Sequence, residues 1–193
     1  MKLHYMGKFN LDPHSLPHGE HQEGAVPFKE ATDSKRLSMI ATVISVVIFV
    51  VLGVAAILRS TAVFKEHYLQ ALLALWVSIL TLFPHELLHA ICFKGDVYLY
   101  TNWSQGMLFV VGPETMSKTR FVILSLLPNL ILGILPYVVG MIIPNAFLLT
   151  FGVMTTSMGA GDYYNVFNAL TQMPKGARTY LYEFHSYWYI PQQ

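Results

Sequence analysis

Four long apolar runs constrain the fold of this chain more than any other feature. Each run carries at most one charged residue, and each is long enough to cross a bilayer, which takes about 20 apolar residues. The runs are Leu37–Leu58, Tyr68 to about Phe93, Phe121–Ile143 and Ala146–Met173. Such runs form helices in lipid, because an unpaired backbone group there has no water to bind. The sequence therefore predicts an all-α polytopic membrane protein with about four transmembrane helices.

Composition supports a membrane protein and excludes several other classes. Only 12% of the 193 residues are charged, whereas a soluble domain has about twice that share. The single cysteine, Cys92, rules out an internal disulfide framework. A net charge of +1 without a basic stripe or a recognition motif gives no reason to expect a nucleic-acid partner. The expected surroundings are a lipid bilayer, and the sequence does not indicate an oligomeric state.

Two parts of the chain differ in composition. Residues 1–36 are rich in His, Pro, Gly and Glu and lack helical periodicity, which predicts a cytoplasmic N-terminal arm. Residues 37–193 are expected to form one membrane-embedded domain with an interfacial aromatic tail. Of the Lys and Arg residues, ten fall on one side of the predicted spans and two on the other. This asymmetry predicts that both termini are cytoplasmic.

A small membrane-associated β-hairpin is predicted between the second and third helices. The β-prone runs Val97–Tyr100 and Met107–Val111 are separated by six residues that include Asn102 and Gly106. One interpretation is a structural hairpin that covers helix ends. The other is a strand edge that pairs with an extended peptide substrate. The sequence leaves both open.

The second run contains His85, Glu86 and His89, which form a His-Glu-x-x-His pattern. On a helix, two histidines four residues apart point from one face and can bind one metal ion. Glu86 can then face a metal-bound water. Ionisable groups at membrane depth are costly without a function, although a pair of hydrogen-bonded core histidines is the alternative. Pro84 is expected to kink the helix and to admit water.

A catalytic zinc needs a third protein ligand, and Asp162 is the preferred candidate. It is the only charged residue of its apolar run and needs a compensating partner. It also lies about 26 Å into its span, and His85 about 27 Å into its own, in the same direction. The alternatives are Glu114, kept as the reserve, Cys92 and His185. Asn129 is expected to hydrogen-bond between helices or, as the alternative, to point towards the site.

The segments Phe83–Ala90 and Gly159–Asp162 resemble those of site-2-protease-like intramembrane zinc metalloproteases. More narrowly, the chain looks like the small bacterial membrane proteins of the putative zincin peptidase family. The resemblance implies that His85 and His89 bind zinc, that Glu86 is the catalytic acid/base and that Asp162 is the third ligand. It also implies a location in the bacterial cytoplasmic membrane. The usual Asn-Pro-Asp-Gly pattern is absent, since this chain has Gly161-Asp162-Tyr163.

The function expected from the residues and the resemblance is hydrolysis of peptide bonds in membrane-associated proteins or peptides. Zn²⁺ is the expected cofactor, and Glu86 is the expected catalytic residue. Two other classes stay open. One is a zinc-binding scaffold or regulator that does not cleave its partner, and the other is an ion transporter with intramembrane His, Glu and Asp along its path.

Overall fold

The computed structural model describes residues 1–31 and 33–192, and they form helices and two β-sheets. The prediction of an all-α protein is wrong. Within the described residues, two helices are long and apolar enough to cross a membrane, or three if a bent pair counts as one span. The prediction failed partly because strands such as Leu3–Lys8 and Val97–Asn102 pair across long stretches of chain, which no local hydrophobic period announces. It also took the aromatic tail, in which Arg178–Tyr182 pairs with His185–Tyr189, for an interfacial segment.

The helices are α1 to α7, with a π-helical segment, Asn129–Ile134, between the fourth and fifth. Their bounds are Ser34–Glu66, Tyr68–Leu80, Leu82–Ala90, Lys118–Pro128, Leu135–Ile142, Ala146–Met158 and Ala160–Gln172. The two long apolar helical stretches are Lys35–Glu66 within α1 and Lys118–Ile142, which runs from α4 through α5. They correspond to the first and third predicted runs.

The second and fourth predicted runs are not continuous helices. The second is divided into α2 and α3, whose axes differ by 45°. The fourth is divided into α6 and α7 at Gly159, whose ψ of 18° departs from helical geometry. A methyl group on Gly159 would overlap the side-chain amide of Asn129. A close approach by a neighbouring helix segment thus coincides with the break.

The first of two compact units comprises the described parts of Met1–Thr32, Glu86–Ser125 and Asn165–Gln193. It holds both sheets. The three-stranded sheet has the order β1-β3-β4, and the four-stranded sheet has the order β2-β7-β6-β5. The strands β1 to β7 are Leu3–Lys8, Val26–Pro27, Val97–Asn102, Met107–Val111, Met116–Ser117, Arg178–Tyr182 and His185–Tyr189.

The predicted hairpin is present as β3 and β4, but it belongs to a larger sheet. The N-terminal segment supplies β1, which pairs in parallel with β3, and β2, which pairs with β7. The aromatic tail forms the antiparallel pair β6 and β7. Two apolar clusters lie beneath these strands, one around Phe9 and Tyr100 and one around Phe28 and Met173. The predicted division into an arm and one domain stays a prediction.

The second unit comprises Asp33–His85 and Leu126–Tyr164. Its core contains Ala56, Leu149 and Val153, against which Leu52 and Tyr137 pack. Small residues allow close helix contact here. A methyl group on Gly152 would lie 2.6 Å from the Cα of Tyr137, so α6 passes directly against the backbone at the start of α5. Such small-residue contacts are typical of helix packing in membranes.

Candidate functional site

Pro84 determines where the helix that carries the His-Glu-x-x-His pattern begins. Proline has no N–H to donate to the carbonyl four residues earlier, which here belongs to Leu80. Leu80 is the last residue of α2, and α3 starts at Leu82, with proline in its first turn. His85 then resumes the helical pattern by donating its N–H to the carbonyl of Thr81 at 2.8 Å. The predicted kink is therefore present. It lies between Leu80 and Leu82, at the carbonyl to which Pro84 cannot donate a hydrogen bond.

The helix α3 brings three potential ligand side chains together. Each of His85, Glu86 and His89 has one potential metal-ligand atom, and these three atoms all lie within 4.8 Å of one another. Within the described residues, this is the group of His, Cys, Asp and Glu side chains compact enough for a metal ion. The geometry is what the four-residue spacing predicts.

His89 is buried and its ring is held by a backbone carbonyl. Its Nδ1 donates to the carbonyl oxygen of Leu124 in α4 at 2.9 Å. A carbonyl can only accept, so the proton must be on Nδ1, and the neutral imidazole then presents a lone pair at Nε2. Histidines that bind metals commonly donate their second ring nitrogen to a carbonyl or carboxylate in this way. The contact fixes the tautomer that a zinc ligand needs.

Pro128 accounts for the availability of this carbonyl. Four residues after Leu124, it cannot donate a helical hydrogen bond to that oxygen. Pro136 likewise cannot donate a hydrogen bond to the carbonyl of Leu132, four residues earlier. That carbonyl accepts a hydrogen bond from the hydroxyl of Thr155 at 2.6 Å instead. In membrane helices, side chains re-satisfy backbone groups that prolines release. Here one such side chain is a candidate zinc ligand.

Glu86 contacts the edge strand of the three-stranded sheet. The N–H of Val110 in β4 donates to its Oε2 at 3.0 Å. Val110 lies opposite Leu99 of β3 in the register, but its N–H points away from β3. Peptide groups point alternately to the two edges of a strand, so the N–H of Leu108, two residues before Val110, also points away from β3. The outer edge of β4 therefore lies beside the Glu86 carboxylate.

Asp162 lies next to His85, as the third-ligand hypothesis requires for this pair. The Nε2 of His85 is 3.0 Å from the Oδ2 of Asp162, and both side chains are less than one-fifth exposed. Asn129 donates its Nδ2 to the same Oδ2 at 2.7 Å. Asp162 occupies the first turn of α7, where the helix dipole favours a carboxylate. Its assignment as a metal ligand stays a prediction.

Glu114, the reserve ligand, has a structural environment. Its carboxylate accepts the N–H groups of Lys94 and Gly95 at 3.0 and 3.1 Å, and it pairs with Arg120. Arg120 also donates to the carbonyl of Cys92 at 2.7 Å. These contacts hold the segment that follows α3.

The other two alternatives also have local contacts. The thiol of Cys92 donates to the carbonyl of Leu88 at 3.5 Å. His185 lies on β7, with its Nδ1 3.9 Å from Glu30. Neither residue belongs to the compact group on α3 among the described residues.

Two contact partners, Leu124 and Val110, have no site role predicted from the sequence, and they contribute only backbone groups. For Asn129 the sequence predicts a link between helices, with a position towards the site as the alternative. The signal for Asn129 was a polar residue after Pro128 inside an apolar run. Backbone partners leave no such signal, because any residue type carries an N–H and a C=O.

A family model described as "Putative zincin peptidase" matches residues 78–178, slightly more than half of the chain. The matched range includes α3, the hairpin of β3 and β4, and the helix that carries Asp162. No curated protein and no solved structure gives a significant match.

Proposed function

The chain belongs to the putative zincin peptidase family, and from this premise we propose that it is a membrane-embedded zinc metalloprotease. It would hydrolyse peptide bonds of membrane-associated proteins or peptides. His85, His89 and Asp162 would hold the zinc, and Glu86 would be the catalytic acid/base. The observation that carries the proposal is the compact donor group on α3, in which His89 already has the required tautomer.

The donor set fits a zinc ion. Zinc takes nitrogen and oxygen ligands at about 2.0–2.2 Å, so neighbouring ligand atoms of a tetrahedral site lie roughly 3.3–3.6 Å apart. The Nε2 of His85 and the Oδ2 of Asp162, which are 3.0 Å apart, come close to that spacing. A bound zinc would lower the pKa of a water and polarise the scissile carbonyl.

Glu86 would move the proton. Its carboxylate would accept a proton from the attacking water and deliver it to the departing amine. The hydrogen bond from the N–H of Val110 holds the carboxylate through Oε2 and so limits its rotation. A positioned acid/base of this kind contributes roughly 10²–10⁴-fold to a rate.

The outer edge of β4 would bind the substrate backbone. A transmembrane helix must unwind before a protease can reach its peptide bonds, because its carbonyls are already hydrogen-bonded. An edge strand offers replacement partners to the extended segment. The proximity of Glu86 to Val110 supports this role, since a peptide paired with β4 would pass beside the acid/base.

A membrane location is supported by the two helices long and apolar enough to span a bilayer. The cytoplasmic location of both termini rests on a count of Lys and Arg across four predicted spans, and it stays a prediction. The proposed location is the bacterial cytoplasmic membrane.

The test combines metal analysis with cleavage of a defined pool of single-span membrane peptides in proteoliposomes. The wild-type protein should bind zinc and release peptide fragments. Glu86→Gln should retain zinc and lose about 10²–10⁴-fold of the rate, while His85→Ala should lose zinc. Glu66→Gln, at the exposed end of α1, is the matched control and should cleave like the wild type.

Cleavage by Glu86→Gln at the wild-type rate would contradict the proposed mechanism. Zinc binding with no fragments from any peptide would favour the scaffold alternative. Zinc flux into the vesicles without cleavage would favour the transporter.

A further inference from the structure

A contact between Asn129, Gly159 and Asp162 assigns a role to two residues outside the proposed ligand and acid/base set. We propose that Asn129 is a positioning residue, which orients the Asp162 carboxylate, and that Gly159 is glycine so that the Asn129 amide can reach it. This inference rests on the proposed function, because it concerns the third ligand of the same site.

The first support is the hydrogen bond itself. The Nδ2 of Asn129 donates to the Oδ2 of Asp162 at 2.7 Å, and Asn129 is only 1% exposed. Asp162 therefore has an amide donor on one side and His85 on the other, both at the same oxygen. Two partners at one oxygen limit rotation of the carboxylate. Partners that orient a ligand in this manner typically change metal affinity by about 10–100-fold when they are removed.

The second support is the glycine at the break between α6 and α7. The three atoms nearest to an added Cβ at Gly159 all belong to the Asn129 amide, with its nitrogen at 2.7 Å. Any larger residue would displace this amide. Gly161, two positions later, has no atom within 4 Å of an added Cβ. Of these two glycines, only the one that faces Asn129 is sterically required.

The third support is the backbone that carries Asn129. It is the first residue of the π-helical segment, directly after Pro128. Such segments are rare within α-helices and occur frequently at functional sites. A turn with one additional residue shifts the direction of the side chains at that point, which is a local means of aiming one amide.

The test measures zinc affinity by chelator competition and the visible d–d spectrum after loading with Co²⁺. Asn129→Leu keeps the branching of the side chain but has no donor, so zinc affinity should fall about 10–100-fold. The cobalt spectrum should change as well, because a reoriented carboxylate alters the ligand field. Asn168→Leu is the matched control. It replaces a buried Asn on the helix of Asp162, and its zinc affinity and cobalt spectrum should equal those of the wild type.

The glycines give a second comparison that does not depend on Asn129 substitutions folding well. Gly159→Ala should weaken zinc binding about as much as Asn129→Leu, and Gly161→Ala should not. The double variant Asn129→Ala/Gly159→Ala should bind zinc like Asn129→Ala alone, because the methyl group no longer meets the amide. This non-additivity is the sign of a direct contact.

Wild-type affinity and an unchanged cobalt spectrum in Asn129→Leu would overturn the inference and leave the proposed function standing. Additive losses in the double variant would also overturn it, since Gly159 would then act independently. Failure of the wild-type protein to bind zinc would instead overturn the proposed function, and the positioning role with it.

Discussion

The Nδ1 of His89 donates a hydrogen bond to the carbonyl oxygen of Leu124 at 2.9 Å. Pro128 follows Leu124 by four residues, so the helix supplies no α-helical N–H to this oxygen from that position. Through this contact, a proline in an apolar run influences which ring nitrogen of His89 carries the proton. It is consistent with a histidine prepared to bind a metal through Nε2.

Replacement of Pro128 by Ala should therefore weaken zinc binding. The new N–H at position 128 would compete with His89 for the Leu124 carbonyl. A carbonyl oxygen has two lone pairs, so the loss should be about 3–10-fold in affinity, below the usual range for such partners. Pro136→Ala is the control, because the Leu132 carbonyl is bonded by Thr155. Chelator competition on both variants would detect the difference, and equal affinities would show that the Leu124 contact does not matter.

Proline substitutions along β4 should separate its two proposed roles. Val110→Pro removes the donor to Glu86 without removing a hydrogen bond to β3, and proline is tolerated at such edge positions. We expect kcat to fall about 10-fold while zinc affinity is retained. Leu108→Pro removes the neighbouring outward donor and should raise KM instead. Steady-state kinetics in proteoliposomes would measure this, and identical effects of both variants would contradict the assignment.

The contact between α5 and α6 predicts a stability difference between two glycines. Gly152→Ala would place a methyl group 2.6 Å from the Cα of Tyr137, so the backbones must separate. The free energy of unfolding should fall by about 1–3 kcal/mol. Gly53→Ala in α1 meets no atom within 4 Å and should stabilise the helix by roughly 0.5–1 kcal/mol. Thermal unfolding in detergent should show shifts of opposite sign, and a stable Gly152→Ala variant would argue against this close contact.

Glu30 predicts a pH dependence of stability in the unit that holds the sheets. Burial raises the pKa of its carboxyl above the ordinary 4.5, although the N–H of Ser186 and the charge of His185 act in the opposite direction. A raised pKa means that the folded protein binds this proton more tightly than the unfolded chain does. Glu30 therefore contributes stability below its ordinary pKa, and this contribution is lost as the pH rises through the raised value.

Glu30→Gln should accordingly be more stable than the wild type at neutral pH, with an advantage that disappears below about pH 4.5. The amide oxygen of Gln can still accept from Ser186 N–H, which lies 2.8 Å from Glu30. Thermal unfolding across this pH range, with the exposed Glu23→Gln as control, would measure the difference. A stability gap that is constant with pH would refute the explanation.

Several local features were predictable because their causes are local. The four-residue spacing of His85 and His89 is sufficient to place both on one face of a helix. Pro84 predicted the kink, and two β-prone runs predicted the hairpin of β3 and β4. The composition of the first and third runs predicted two helices long enough to span a membrane.

The errors in the predicted fold came from long-range strand pairing, from the local hairpin of β6 and β7 in the aromatic tail, and from the division of the fourth run. The N-terminal segment has no hydrophobic alternation, yet β1 pairs with β3 more than 90 residues away in sequence. Its backbone groups hydrogen-bond to strands formed by later parts of the same unit, β3 and β7. The fourth run reads as one helix because Asp162 is its only charged residue, and the approach of Asn129 to Gly159, which coincides with the break, leaves no signal in that composition.

By itself the sequence determined which atoms are available. It supplies two imidazoles and a carboxylate on α3, a lone carboxylate at Asp162, and prolines that leave particular carbonyls without a helical donor. Only the tertiary structure decided which groups those atoms meet: Leu124 for His89, Val110 for Glu86, and Asn129 and His85 for Asp162. The reason is physical, because residue identity fixes hydrogen-bonding capacity, whereas the choice of partner depends on how distant segments pack.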